Sequence, residues 1–306
     1  MNILRLFIFG LIVFQSSMSF TGCSNENIPG LEDEVYETTP LDINVTNQLI
    51  SKSGGVVTST SFADGAKIGL FATKTEDDSN YDTNYSNVKY NARTTIIQMW
   101  ESSSPIQLTD THATIYAYYP YKFGSFNMEE IPIDVTENSD VMYATPVPDV
   151  YKDDPFATLT MKHALAVIRF SISKGDYSGS GVLSRILIKS ASLAPSGTLN
   201  IKTGAVTPSN SGSWINYGKI GSVSLSSSTP VVVEQLVVPV SNSGTLSVRF
   251  ILDGKLFEAV CSSSFTTYSA NVYTFSVQFS DSGLKSTGNS NGSTCTVRYV
   301  SESNEW

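Results

Sequence analysis

The chain has 306 residues, of which 46 are Ser and 29 are Thr, while only 15% are charged. That balance excludes a coiled coil, a collagen and a charge-rich disordered chain. The 41% hydrophobic fraction, with 15 Tyr and 15 Phe, supports real cores in one large or two medium domains. A formal charge of -9, from 28 acidic and 19 basic residues, disfavours a nucleic-acid ligand and an electrostatic grip on an anionic membrane.

In chain order, Arg5 stands in a short n-region, Leu6 to Phe14 is an apolar run, and Gln15 to Gly22 is small and polar. Residues 1–22 have the layout of a signal peptide and are too short to span a bilayer as a mature helix. The ending Phe20-Thr21-Gly22-Cys23 resembles a bacterial lipobox, although Leu is preferred where Phe20 stands. It implies cleavage between Gly22 and Cys23 and acylation of Cys23. Several acyl chains, at about 0.8 kcal/mol per buried methylene, make a durable anchor. Residues 23–40, with Glu32, Asp33, Glu34 and Glu37, read as a lipidated flexible tether.

From Leu41 the chain is written in period two: Leu41, Ile43, Val45 and Leu49 alternate with polar residues, broken by Asn47 on the apolar side. Strand segments recur at 68–73, 88–91, 96–100, 113–119, 141–145, 159–173, 182–190, 231–240, 246–252, 256–260 and 272–279, separated by Gly, Ser, Asn and Asp clusters. Asp253-Gly254 between alternating runs predicts a tight hairpin. No window of about twelve residues carries a 3.6 period. The pattern predicts an all-β protein of two tandem β-sandwich domains, 41–155 and 156–280, joined where Pro146, Pro148, Asp153, Asp154 and Pro155 cluster. A C-terminal segment, 281–306, follows a Gly/Ser/Asn stretch. There Cys295, Val297 and Tyr299 alternate with Thr296 and Arg298, in either a last strand of the domain or a strand donated to another molecule.

With Cys23 acylated, only Cys261 and Cys295 remain, which excludes a zinc ribbon and a redox CxxC. In an oxidising envelope compartment these two could pair, closing a loop of about 33 residues at about 3 kcal/mol of stabilisation. His112 and His163 are too few for a histidine-rich metal site. No GxSxG, Walker loop or HExxH is present, and no segment has DxDxDG spacing. The pairs Asp77-Asp78, Glu129-Glu130 and Asp153-Asp154 read as solvated loop carboxylates rather than a glycosidase pair. The expectation is therefore no enzyme, no cofactor and no metal. Tyr116, Tyr118, Tyr119 and Tyr121, with Trp100 and Trp214, either stack on sugars or fill a sandwich core.

The order lipobox, amphipathic strand, Lys67-Ile68-Gly69-Leu70-Phe71, Asn87-Val88-Lys89-Tyr90, Trp100, Ile115 to Tyr121, Val141 to Thr145 and Leu159 to Ala166 resembles the fimbrillin family of Bacteroidales. Ser196-Gly197-Thr198-Leu199-Asn200 and Asn271-Val272-Tyr273-Thr274-Phe275 add to it. The resemblance implies transthyretin-like sandwiches and a role as a type V pilus subunit, structural or adhesive, exported as an outer-membrane surface lipoprotein and ending in the fimbrium. It also implies that a trypsin-like protease removes the first strand and that a neighbouring pilin subunit, of the same or another kind, fills the groove by strand exchange. Ser51-Lys52-Ser53-Gly54-Gly55 has the composition of a nicked loop, and Lys52 is the first basic residue after the anchor, where the family often has Arg. A cut between Lys52 and Ser53 is expected. An intramolecular Cys261–Cys295 bridge would tie the tail to its own domain and point to a tip or accessory subunit. The alternative is a non-assembling surface lipoprotein that binds glycan or host protein.

Overall fold

The computed structural model describes residues 37–50, 56–59, 62–82, 85–94, 97–209, 211–216, 220–240, 244–264, 266–281 and 294–303. Of 48–50, 56–59, 262–264 and 294–303 it describes only the backbone. The expected signal peptide, Gly22, Cys23 and most of the expected tether lie outside the described residues, as do Lys52 and Ser53. Among the described residues there is no α-helix, and the chain is all-β.

The first half begins with β1 (Thr39–Pro40), β2 (Asp42–Ile50), β3 (Val56–Ser59) and β4 (Lys67–Lys74). β5 (Val88–Thr94), β6 (Gln98–Glu101), β7 (Gln107–Leu108) and β8 (Ala113–Tyr119) follow. β9 (Ile131–Asp134), β10 (Met142–Ala144), β11 (Val147–Val150) and β12 (Phe156–His163) complete it. One sheet runs β3-β2-β12-β10-β8-β4-β5-β6, with β11 added to β8, and β1 pairs with β7. β6, at the far end of the strand order, comes back alongside β2, so the sheet wraps round its own core. Leu41, Ile43, Val45, Ile68, Leu70, Tyr90, Ile115 and Leu159 are buried in that core.

The second half contains β13 (Ala166–Ser173), β14 (Val182–Lys189), β15 (Ser196–Leu199), β16 (Val206–Ser209), β17 (Ile215–Asn216) and β18 (Val223–Ser224). β19 (Val231–Val237), β20 (Thr245–Leu252), β21 (Lys255–Ser264), β22 (Val272–Ser280) and β23 (Thr294–Ser303) close the chain. Two sheets, β19-β13-β22-β23 and β17-β14-β20-β21 with β18 on β14, share a core built on Phe170, Phe250, Phe257, Phe275 and Phe279. The period-two reading holds here: Leu246, Val248, Phe250 and Leu252 are buried while Ser247, Arg249 and Ile251 face outward. At the expected hairpin, Asp253 and Gly254 both have positive φ, 49° and 74°, as a two-residue turn between right-twisted strands needs. In each half the first long strand lies parallel beside a late one, β2 on β12 and β13 on β22.

Two expectations change. The boundary drawn at 155 lies too early: β11 pairs with β8 and β12 pairs with β2 and β10, so Phe156–His163 belongs to the first sheet. The single strand read over 159–173 is two strands of different sheets. The chain turns at Ala164-Leu165, where the Ala164 N–H donates to the Val141 carbonyl and the Ala270 N–H donates to the Leu165 carbonyl. Nothing in the composition marks this break, because both residues are apolar and fully buried.

A third core joins the halves. β9 of the first half pairs with β15 of the second, and Phe71, Tyr116, Tyr118, Ile131, Leu165, Leu199, Leu236 and Val272 pack together around them. The Leu236 N–H donates to Asn138 Oδ1 at 2.8 Å and Gln235 Nε2 donates to the Val135 carbonyl at 2.8 Å. These bonds fix the second half to the loop after β9.

Candidate functional site: the cradle of the N-terminal strand

Leu41, Ile43 and Val45 point into the first core, with Leu41 only 4% exposed, while Asp42 between them is solvent-facing. The backbone is seated as firmly as the side chains. Leu41 N–H donates to the Ile106 carbonyl at 2.8 Å and Asp42 N–H to the Pro155 carbonyl at 2.9 Å. From there β2 runs parallel to β12, from Asp42 opposite Phe156 to Asn47 opposite Met161. β3 pairs with its far end, Asn47 opposite Ser59 to Ile50 opposite Val56. The cradle is therefore one β12 edge, the nearby β6, and a floor that includes Ala157, Leu159, Met161, Ile106 and Trp100.

Burying Leu41, Ile43 and Val45 at about 1.5–3 kcal/mol each contributes about 5–9 kcal/mol. A whole domain is stable by only about 5–15 kcal/mol. The first half thus depends on having some strand in this cradle. Near its entrance the Ile106 N–H donates to the Tyr90 hydroxyl oxygen at 3.2 Å, and burial pushes the Tyr90 hydroxyl up to about 12. That phenol stays neutral and holds the segment carrying Ile106 against β2.

At the other end of the chain β23 pairs antiparallel with β22 of its own molecule, from Val272 opposite Ser303 to Ser280 opposite Thr294. Cys261 is buried on β21, 2% exposed. Cys295 stands on β23 opposite Phe279, with its side chain outside the described residues.

The remaining candidates are scattered. Tyr116, Tyr118 and Trp100 are buried in cores and Tyr119 and Tyr121 are half-buried, so no sugar-stacking row stands on β8. Trp214 is also half-buried, with the Arg249 guanidinium 4.1 Å from its ring centre. His163 Nδ1 meets Asp140 Oδ2 at 2.7 Å and His112 stacks on Tyr151 at 4.4 Å, in separate places. Asp78 is ion-paired with Lys202. Among the described residues no group of three or more His, Cys, Asp or Glu is placed to hold a metal.

Packed β-sheets in two halves, the first enclosing its own N-terminal strand, define the class as an all-β sandwich protein. The match to the fimbrillin-like family runs over residues 56–298, and the chain belongs to that family, which is not an enzyme family. Its fold is similar to a candidate cell adhesion protein from Bacteroides ovatus ATCC 8483, at TM-score 0.61 and 14% identity, covering 87% of this chain and 97% of that one. A candidate cell adhesion protein from Bacteroides uniformis ATCC 8492 is similar at TM-score 0.60 and 17% identity, covering 86% and 97%. No curated protein matches the chain.

Proposed function

We propose that the protein is a fimbrial subunit, structural or adhesive, exported as an outer-membrane lipoprotein acylated at Cys23. A trypsin-like protease cuts between Lys52 and Ser53, the segment carrying β1 and β2 leaves, and a strand of a neighbouring pilin subunit takes its place. The observation that carries this reading is the seating of Leu41, Ile43 and Val45 in the core by the first long strand of the chain. Two further facts support it. The family match begins at residue 56, past that strand. β2 is held largely by main-chain hydrogen bonds and alternate side chains, the two features an incoming strand of different sequence can reproduce. In this reading the donated strand is β23, and its pairing with its own β22 must first open.

Treatment of the purified chain with a trypsin-like protease is expected to give a new N-terminus at Ser53, followed by polymer ladders that survive mild detergent, and Lys52→Gln is expected to give neither. A cut chain that sheds residues up to 52 and stays monomeric would overturn the reading.

A further inference from the structure

Charge is divided unevenly between the two halves. Residues 37–162 carry 17 acidic and 8 basic side chains, while residues 163–306 carry 7 and 10. A chain of net charge -9 thus has a second half of net charge +3. Basic residues of that half gather on the outer face of the β17-β14-β20-β21 sheet. Arg185 on β14 is exposed and faces the same side as Lys189, and the register sets Leu187 between them opposite Arg249 of β20. Trp214 lies against both cations, with the Arg249 guanidinium 4.1 Å and Lys189 Nζ 5.9 Å from its ring centre. Beside them Leu256 and Val260 of β21 are 58% and 57% exposed, unusual for aliphatic residues on a strand. The Glu258 carboxylate stands on this face and accepts from Arg249 Nε at 2.9 Å.

In the first half, acidic loops gather near the start of β2. Lys152 is paired with Asp110 at 3.1 Å, and Asp153 and Glu37 are near enough to favour its charged form further. Asp149 lies 3.4 Å from His112 in the same group of loops.

We propose that the cationic and apolar face on β14, β20 and β21 docks against the acidic first half of a second copy of this chain. The contact is head to tail. A two-fold axis through this face would set Arg185, Lys189 and Arg249 against themselves, whereas a heterologous contact sets them against carboxylates and repeats along a line. Exposed aliphatic side chains beside a net positive charge are what such a surface needs: the charges orient the encounter and the apolar area holds it. The contact requires neither cleavage at Lys52 nor an exchanged strand, and it aligns copies before any exchange.

The test uses the uncleaved full chain bearing Cys23→Ser, which cannot be acylated, so polymerisation by strand exchange plays no part. Sedimentation velocity is expected to show concentration-dependent association at about 10 mM salt, where charges act over about 30 Å, and monomer at about 1 M, where they act over about 3 Å. Arg185→Glu combined with Arg249→Glu is expected to weaken self-association at least tenfold at low salt. Mixed with the charge-intact chain, this variant is expected to cap it as dimers, because its acidic half still accepts a basic face. The salt series needs no variant and stands even if the double variant folds poorly. Monomer at every concentration in low salt would overturn the proposal, as would association indifferent to salt or to both reversals. A monomeric chain that instead binds polygalacturonate through Arg249 would also overturn it and assign the face to an acidic glycan.

Discussion

At the scale of single residues, the sequence signatures of this chain turn out to be packing devices. Gly69 on β4 is bare because a methyl group there would lie 2.2 Å from Cε1 of Tyr118. Tyr118 in turn donates its hydroxyl to Asn87 Oδ1 at 2.8 Å, and Asn87 Nδ2 donates to the carbonyls of Lys122 and Gly124. Three stretches far apart in sequence therefore converge on one buried hydrogen-bonded knot. Asp253 does similar work at the hairpin, where its carboxylate accepts from the Ser180 hydroxyl and from the Gly181 and Val182 N–H groups at 2.9 and 2.8 Å. These bonds hold its carboxyl well below the usual carboxylate range. A depressed folded-state pKa contributes stability above the unfolded value of about 3.9 and loses it as pH falls through the folded value. Asp253→Asn should therefore lower stability toward urea at neutral pH, with the gap from the unmodified chain closing as pH drops below about 3.9. Urea melts across pH check this, and a gap that widens in acid would contradict it.

At the scale of elements, β2 and β23 are the strands whose partners matter most. The alternation Leu41, Ile43, Val45 was legible because one face meets the core and the other meets water. Its parallel pairing with β12 was not, since that partner lies more than 100 residues away and strand order leaves no local mark. β8 misled for a different reason. Ala113, Ile115 and Ala117 line the first core while Tyr116 and Tyr118 enter the third, so both faces are dry and the aromatic row is not an exposed platform. If β2 is a resident strand destined to leave, its core contacts matter only before cleavage. Ile43→Ala should destabilise the uncleaved chain by about 3 kcal/mol, and Asp42→Ala by no more than about 0.5 kcal/mol. Polymers formed after the cut should be equally stable in all three chains, because residues 42 and 43 are gone from them. Equilibrium unfolding before cleavage and detergent resistance after it read the two halves of this expectation.

At the scale of the whole molecule, the two sandwiches were legible from strand count and turn spacing, and the third core was not. β9 and β15 are short strands missing from the segments read in the sequence, yet their pairing joins the halves. Residues 37–306 consequently behave as one compact unit rather than two beads on the Pro-rich stretch at 146–155.

The central claim is that the cradle vacated by β2 accepts a strand from outside. Competition tests it most directly: protease-cut chain is allowed to polymerise with and without an excess of a synthetic peptide spanning residues 37–52. The peptide is expected to bind the cut chain, restore its thermal stability and suppress the ladders in proportion to occupancy. Ladders that form unchanged at saturating peptide, or a cut chain that remains as stable as the intact one with its cradle empty, would contradict it.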